Sequence, residues 1–446
     1  MKKVLIIPSN TDLNRGDQAL VWETKRIIED LYSPEKVEIT AIESGFNFEI
    51  VKRQSYQSLE QGYSLCSPII KHPGRHWTKD SSEHVGNGIS RMFKWGGVAL
   101  MDFSKSILLL SRCKFVNRIG AALLTDKERH TLQLIQDADS IFVKGGGFIH
   151  AFGKITDTYQ MYYSTFSMLL AKRYDKKVFI MPNSFGPLND KISRHFITKL
   201  LGRCEFVAAR EDISFRYLQE ILKIPCVKYP DLGYYLEDKS GINEEKYLRK
   251  AILSGRPIVG ITLRPWRFPD ATNSEEKYKS YITSFVEFIR YLNNKGYYVC
   301  LFAHTLGPSA HENDALAIKD VASKLGKDND YEIVKDYQLN CYDMMKLYSR
   351  CTYFIGTRFH SVIFAQNQNV PTIAISYGGN KGNGIMGDLG FSEFVISISS
   401  VNAAILSRTF EKLEQSSRTY KEALVAHKTK LLKARESMIQ TLKPLI

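Results

Sequence analysis

At 446 residues the chain exceeds what one hydrophobic core organises, and size scaling favours two domains. Its 44% hydrophobic and 24% charged content is ordinary for a folded globular protein and excludes a disordered chain. The formal net charge of +14 favours anionic partners, whether polyanions, lipid surfaces or small substrates; no RRM, KH, zinc-finger or helix-turn-helix pattern supports nucleic acid.

The chain opens with MKKVLIIPSNTD. Its apolar run is too short for the core of a signal peptide, and KVLIIPS (3–9) predicts a first buried strand instead. The pattern GDQALVWETKRIIEDLY (16–32) predicts a helix, and VEITAIE (37–43) a second strand. Residues 46–125 then break the rhythm and are rich in aromatic and basic residues. Within them FKWGGVALMDFSKSILLLSRCKF (93–115) carries a leucine cluster flanked by Lys94, Arg112 and Lys114. It reads either as a helix packed over the core or as an element lying in a membrane interface; the packed helix is preferred.

Strand patterns resume at SIFVKGG (140–146), KVFIMPN (177–183), EFVAAR (205–210) and CVKYPD (226–231). A charged stretch near 236–255 reads as a linker. Beyond it come PIVGITLR (257–264), YYVCLFAH (297–304), YEIVKD (331–336), YFIGTR (353–358), TIAIS (372–376) and FVISIS (394–399). Strands alternating with helical patterns predict parallel βα units. The reading is an α/β chain with Rossmann-like doubly wound domains over 1–238 and 239–420, and a helix over 421–446 packing back across the protein. No run is long enough to span a membrane, and the seven cysteines are scattered without a CxxC pair. A cytoplasmic location is expected.

In open α/β sheets ligands bind beyond the carboxyl ends of the strands, so the strand-to-helix turns hold the candidate residues. In SNTDLNRGDQAL (9–20), Asn14 and Gly16 are read as allowing a tight turn. Asp17 either caps the helix or acts as a base. In VKGGGFIHAFG (143–153), Gly145, Gly146 and Gly147 permit close approach of a ligand, with His150 beside them. Arg210 ends a strand before Glu211 and Asp212, and is read either as paired to a neighbouring acid or as a ligand group. Arg264 ends another strand, where the adjacent Pro265 is expected to aim its guanidinium outward. In TRFHSVIFAQNQNVPTIAISYGGNK (357–381), Arg358 and His360 share one strand end and Lys381 follows the next strand. Arg offers a planar fork, Lys a point charge and His a proton near neutral pH, which together suit a small anion. Metal is disfavoured, since no HxH, HxxxH or calcium-loop spacing occurs.

The ordered set NRGDQAL, KGGGF, PNSFGPL, ARED, PDLGY, TLRPW and GTRFHSVIFA followed by VPTIAISY resembles the polysaccharide pyruvyl transferase family over most of the chain. The resemblance implies a GT-B-like fold, two Rossmann-like domains facing across a cleft. It implies transfer of the enolpyruvyl unit of phosphoenolpyruvate to a sugar as a pyruvate ketal, with no metal or organic cofactor. It assigns phosphoenolpyruvate to Arg210, Arg358, His360 and Lys381, to which the strand-end reading adds Arg264. Lys381 sits one residue beyond the family's usual position.

The 239–420 domain is thus expected to hold the donor, and the 1–238 domain, with its 46–125 insertion, the acceptor. Acceptor contacts are expected from Asn14, Gly16, Asp17, Gly145, Gly146, Gly147 and His150. His360 is the expected acid and Asp17, from the opposite domain, the expected base. The acceptor is expected to be a surface-polysaccharide sugar, lipid-linked in the fuller version, with peripheral contact at the inner membrane face. The alternatives are a GT-B glycosyltransferase using a nucleotide sugar and a non-catalytic binder of anionic glycans or membrane surfaces.

Overall fold

The computed structural model describes residues 1–9, 11–43, 52, 54–73, 89–154, 156–326, 329–378 and 380–446, with the side chains of 89–92 and 380–381 outside the description. The chain divides into two compact units. The first comprises residues 1–12, 20–232 and 435–446; the second comprises 13–19 and 233–434.

The first unit is built on a parallel sheet. Its strands are β1 (Lys2–Ser9), β2 (Val37–Glu43), β3 (Ser64–Cys66), β4 (Ser140–Val143), β5 (Gly146–Ala151), β6 (Lys177–Leu188), β7 (Phe206–Ala209) and β8 (Val227–Lys228). They run in the order β3-β2-β1-β4-β6-β7-β8, with β5 pairing β6 off this path. Continuous apolar runs such as SIFV on β4, buried at every position, are what a sheet covered on both faces requires. The glycine segment 143–153, read as a strand-to-helix turn, is mostly strand: β5 occupies its middle and pairs Ile149 with Phe185.

The helix Ile89–Leu110 packs on this unit in an unexpected sense. Leu109 joins the core, yet Asp102 and Ser106 are fully buried beside it while Phe93, Leu100 and Met101 are mostly exposed. Ser106 meets the Tyr162 hydroxyl at 2.7 Å, and Lys105 bonds Glu128 at 3.0 Å. The inward face is polar and the outward face apolar, the reverse of an ordinary covering helix.

The second unit carries β9 (Ile258–Thr262), β10 (Tyr298–Phe302), β11 (Tyr331–Val334), β12 (Tyr353–Gly356), β13 (Thr372–Ser376) and β14 (Val395–Ser397). The order is β11-β10-β9-β12-β13-β14, every pairing being parallel. This is the doubly wound order, and the winding reverses between β9 and β12, the position where such sheets bind ligands.

Two parts of the sequence-based layout change. The 236–255 stretch is not bare linker but contains helix Glu245–Leu253. Helix Ser417–Leu442 is shared: up to Ala434 it belongs to the second unit, where Tyr420 stacks on Phe391 at 3.7 Å. From Arg435 on it belongs to the first, where Arg435 pairs with Glu23 and Asp30, each at 2.7 Å.

Candidate functional site

The carboxyl ends of β9 and β12 are stitched together by hydroxyls. The Thr357 N–H donates to Thr262 Oγ1 at 3.1 Å and its hydroxyl to the Thr262 carbonyl at 3.0 Å. Ser361 donates to the Arg358 carbonyl at 2.6 Å, with its Oγ 3.0 Å from Thr262 Oγ1. A side chain on Gly356 would meet Val362 Cγ2 at 2.4 Å, so glycine lets helix Phe359–Asn367 start directly above the strand. These contacts fix the residues that leave the two strands, Arg264 and Arg358.

Both arginines are buried, and in different ways. Arg358 donates from Nε to Asp314 Oδ1 at 2.8 Å and holds Nη2 at 2.8 Å from the same oxygen. Asp314 is itself fixed by the Thr305 N–H at 2.9 Å. Burial pulls the Arg358 pKa down, but Asp314 and Glu312 more than offset it, so it stays above the ordinary value. Arg264 makes no ion pair with a carboxylate among the described residues. Its guanidinium lies 4.0 Å from the Tyr377 ring centroid and 4.6 Å from that of Trp266, and its buried Nε has no hydrogen-bond partner among the described residues. Burial, and then repulsion by Arg358, lower its pKa. Pro265 was expected to turn Arg264 outward; the aromatic pair instead holds it inside, since a guanidinium on two π-faces is stabilised there. The result is two buried guanidiniums at the winding reversal, one ion-paired with Asp314 and the other stacked on aromatic rings.

Segment 13–19 belongs to this same unit, so Asp17 does not come from the opposite domain as expected. Asn14, not Asp17, takes the cap: its Oδ1 accepts from the Asp17 N–H at 3.3 Å, and its Nδ2 donates to Asp17 Oδ2 at 2.7 Å. Asn14 also bridges to Thr305. Arg15 is wholly buried and bonds the carbonyls of Leu13, Asp336 and Leu339 at 2.8–2.9 Å. Gly16 forms no tight turn. It lies within helix Arg15–Tyr32, and a Cβ there would fall 2.3 Å from His360 Nδ1. The imidazole occupies the space where a side chain would be.

His304, beyond the end of β10, completes the group. It is buried, its Nδ1 lies 3.0 Å from the Tyr348 hydroxyl, and its Nε2 has no partner among the described residues. Burial, then the nearby His360, Arg15 and Arg358, hold its pKa well below 6.5, against a small opposing pull from Asp17. The second unit thus brings together Asn14, Gly16, Asp17, Arg264, Arg358 and His360, with His304 and Asp314, which the sequence reading missed. His304 ended a recognised strand and carried that signal; Asp314 had none, being paired to Arg358 across 44 positions.

The remaining candidates are Lys381, Arg210, the three glycines and His150. Lys381 falls in helix Asn380–Asp388, and its side chain lies outside the described residues. Arg210 belongs to the first unit, where it donates to Asp231 at 2.5 Å and to Ser184 at 2.8 Å. Glu211, not Asp212, joins that network, accepting from Ser184 at 3.1 Å and from Ser214. The pairing with a neighbouring acid is therefore realised, through Asp231. In the same unit a Cβ on Gly145 would meet the Pro182 carbonyl at 2.9 Å, while Gly146 holds φ at +148°. The Gly147 carbonyl lies 3.1 Å from His150 Nδ1. Among the described residues no group of three or more His, Cys, Asp or Glu is placed to hold a metal ion.

The profile of the family described as Polysaccharide pyruvyl transferase matches residues 14–379. The chain belongs to this family. It is 23% identical over 427 residues to the amylovoran biosynthesis protein AmsJ of Erwinia amylovora, covering 93% of this chain and 94% of the relative. Among solved structures, S. aureus MnaA with UDP superposes with a TM-score of 0.54 at 12% identity, over 95% of this chain and 91% of that one. The UDP-GlcNAc 2-epimerase of Neisseria meningitidis bound to UDP-GlcNAc gives 0.52 at 11% identity, over 99% of each chain. At such identities the likeness establishes the two-unit GT-B-like fold. In this pyruvyl transferase the matched region begins at Asn14, the cap, and includes Arg264, Arg358 and His360.

Proposed function

We propose that this chain transfers the enolpyruvyl unit of phosphoenolpyruvate to a pair of hydroxyls on a sugar of a surface-polysaccharide precursor, forming a cyclic ketal and releasing phosphate. The observation that carries the reading is the pair of buried guanidiniums at the ends of β9 and β12, one paired with Asp314 through Nε and the other held on two aromatic rings, with Arg358 Nη2 and Arg264 Nε both buried and without a hydrogen-bond partner among the described residues. Phosphoenolpyruvate carries a carboxylate and a phosphate on one small frame, and two forks at one strand crossover match it. Arg264 takes one anionic group and Arg358 the other, with Lys381 assisting.

Proton transfer to the methylene carbon makes C2 electrophilic. One sugar hydroxyl adds there, the C2–O bond to phosphate breaks, and the second hydroxyl closes the ring. One hydroxyl proton replaces the one delivered to the methyl group and the other leaves with phosphate, so the sum balances without a metal or organic cofactor. His360 is the acid, and Asp17, held by Asn14, is the base. The glycine segment 145–147 and His150 contact the acceptor, a lipid-linked sugar at the cytoplasmic membrane face. Arg210, engaged by Asp231 and Ser184, stabilises the first unit in this reading.

The test is phosphate release from phosphoenolpyruvate across a panel of galactose-, mannose- and N-acetylhexosamine-containing acceptors. Release is expected only with an acceptor present. His360→Ala is expected to abolish it while the melting temperature holds, and near-normal turnover in that variant would remove His360 as the acid. Turnover of a UDP- or GDP-sugar in place of phosphoenolpyruvate would overturn the reading.

A further inference from the structure

The outward face of helix Ile89–Leu110 and of the helix after it, Lys114–Ala122, has no counterpart in the chemistry above. Phe93, Leu100 and Ile107 are 78%, 67% and 46% exposed. Their sevenfold spacing places them on one stripe of the helix. Phe115, Ile119 and Leu123 are 71%, 42% and 58% exposed, and their fourfold spacing makes a second stripe. The helices pack closely, since a Cβ on Gly120 would meet Leu108 Cβ and the Leu109 nitrogen at 2.9 Å.

Asp102 and Ser106 of the first helix point the other way and are wholly buried. A helix that buries an aspartate and exposes phenylalanine and leucine is oriented for apolar surroundings on its outer side. Contiguous exposed apolar surface of this kind marks an interaction site.

Charge selects the occupant. Between residues 93 and 123 the sole acid is Asp102, which is buried, whereas Lys94, Arg112, Lys114 and Arg118 are exposed. Protein–protein interfaces are depleted in lysine. An apolar stripe interleaved with exposed Lys and Arg and free of exposed acid complements an anionic bilayer, where the rings enter the acyl boundary and the cations meet headgroups. No described helix is long and apolar enough to cross a membrane, so the contact lies in the plane of the interface. We infer that helices Ile89–Leu110 and Lys114–Ala122 form a docking surface for anionic lipid bilayers. The inference stands on exposure and charge and does not depend on the donor chemistry. Its link to a lipid-linked acceptor does rest on the proposed pyruvyl transfer.

The test is flotation of the full chain with vesicles of phosphatidylcholine alone or mixed with phosphatidylglycerol. Binding is expected to the mixed vesicles and to weaken as salt rises. The apolar variant Phe93→Ser/Leu100→Ser/Phe115→Ser and the charge variant Lys94→Glu/Lys114→Glu/Arg118→Glu are each expected to lower partitioning by about tenfold or more. All six side chains are exposed, so melting temperatures should hold; phosphate release with a soluble acceptor, measured in parallel, separates failure of this surface from failure of the catalytic reading. Absence of flotation by the unaltered chain, or flotation by either variant equal to that of the unaltered chain, overturns the inference. So does a dimer in light scattering that the apolar variant converts to monomer without any vesicle binding, which would assign the face to a second copy of the chain.

Discussion

A Cβ on Gly16 would fall 2.3 Å from His360 Nδ1 and 2.5 Å from its Cγ, while the neighbouring Arg15 is held by three backbone carbonyls. The backbone there has little room to retreat, so Gly16→Ala should move the imidazole. Alanine favours a helix over glycine by about 1 kcal/mol, which makes stability a poor reporter and turnover a good one. The expected outcome is a loss of kcat of about 100-fold with a melting temperature near wild type; undiminished kcat would mean that the ring position is not needed. His304 supplies a pH effect of defined sign. Its folded pKa lies well below 6.5 because of burial and the cations around it, so below about pH 6.5 the unfolded chain binds a proton that the native state refuses. Stability therefore falls with pH in that window, by up to about 1.4 kcal/mol per pH unit. His304→Gln should flatten that part of the profile in denaturant titrations at stepped pH, and an unchanged slope would exclude His304 as its source.

Arg15 ties the start of helix Arg15–Tyr32 to the 336–339 loop of the second unit through the carbonyls of Asp336 and Leu339. Arg15→Met removes the donors and leaves buried carbonyls unsatisfied, a cost on the order of 3 kcal/mol. A lower urea midpoint with faster amide exchange across 13–19 is expected; exchange unchanged in that segment would show that it is held by other contacts. The same stretch marks where sequence reading stops. Strands such as β2 and β13 were legible to the residue, because β-branched runs between turns leave one reading open. That Arg264, Arg358 and His360 would leave the ends of β9 and β12 was legible from the strand patterns that precede them. What stayed hidden depends on long-range packing. Gly16 looked like a turn glycine because His360 is far away in sequence. The glycine run at 145–147 looked like a loop because its partner strand, β6, is formed by later residues. For 93–115 the preferred reading is one helix packed over the core; the structure has two helices there, and hydrophobic periodicity marks a stripe without saying which side is core.

At the scale of the whole chain, Arg264, Arg358, His360, Asp17, His304 and Asp314 all fall in the second unit, whereas Arg210 falls in the first. The family resemblance groups Arg210 with the donor residues, whereas in the first unit Asp231 and Ser184 engage its Nη1 and Nε, its Nη2 being buried without a hydrogen-bond partner among the described residues. The two assignments separate under hydrogen exchange, because a ligand slows opening of the segments it contacts. Phosphoenolpyruvate alone should protect amides at 14–18, 263–266, 304–314 and 357–361 and leave 208–214 unchanged. Saturation at about 100 times Kd would deepen protection by up to about 2.7 kcal/mol where exchange proceeds through ligand-free openings. Arg264→Lys should reduce that protection, since an ammonium cannot reproduce a stacked fork. Asp314→Asn should weaken the protein in the absence of ligand by leaving Arg358 beside Arg264 without its counter-ion, and phosphoenolpyruvate should restore part of the loss because its own charge replaces the missing carboxylate. Protection centred on 208–214, or an Asp314→Asn protein that phosphoenolpyruvate leaves unstabilised, would move the donor away from the β9–β12 crossover and return Arg210 to the binding set.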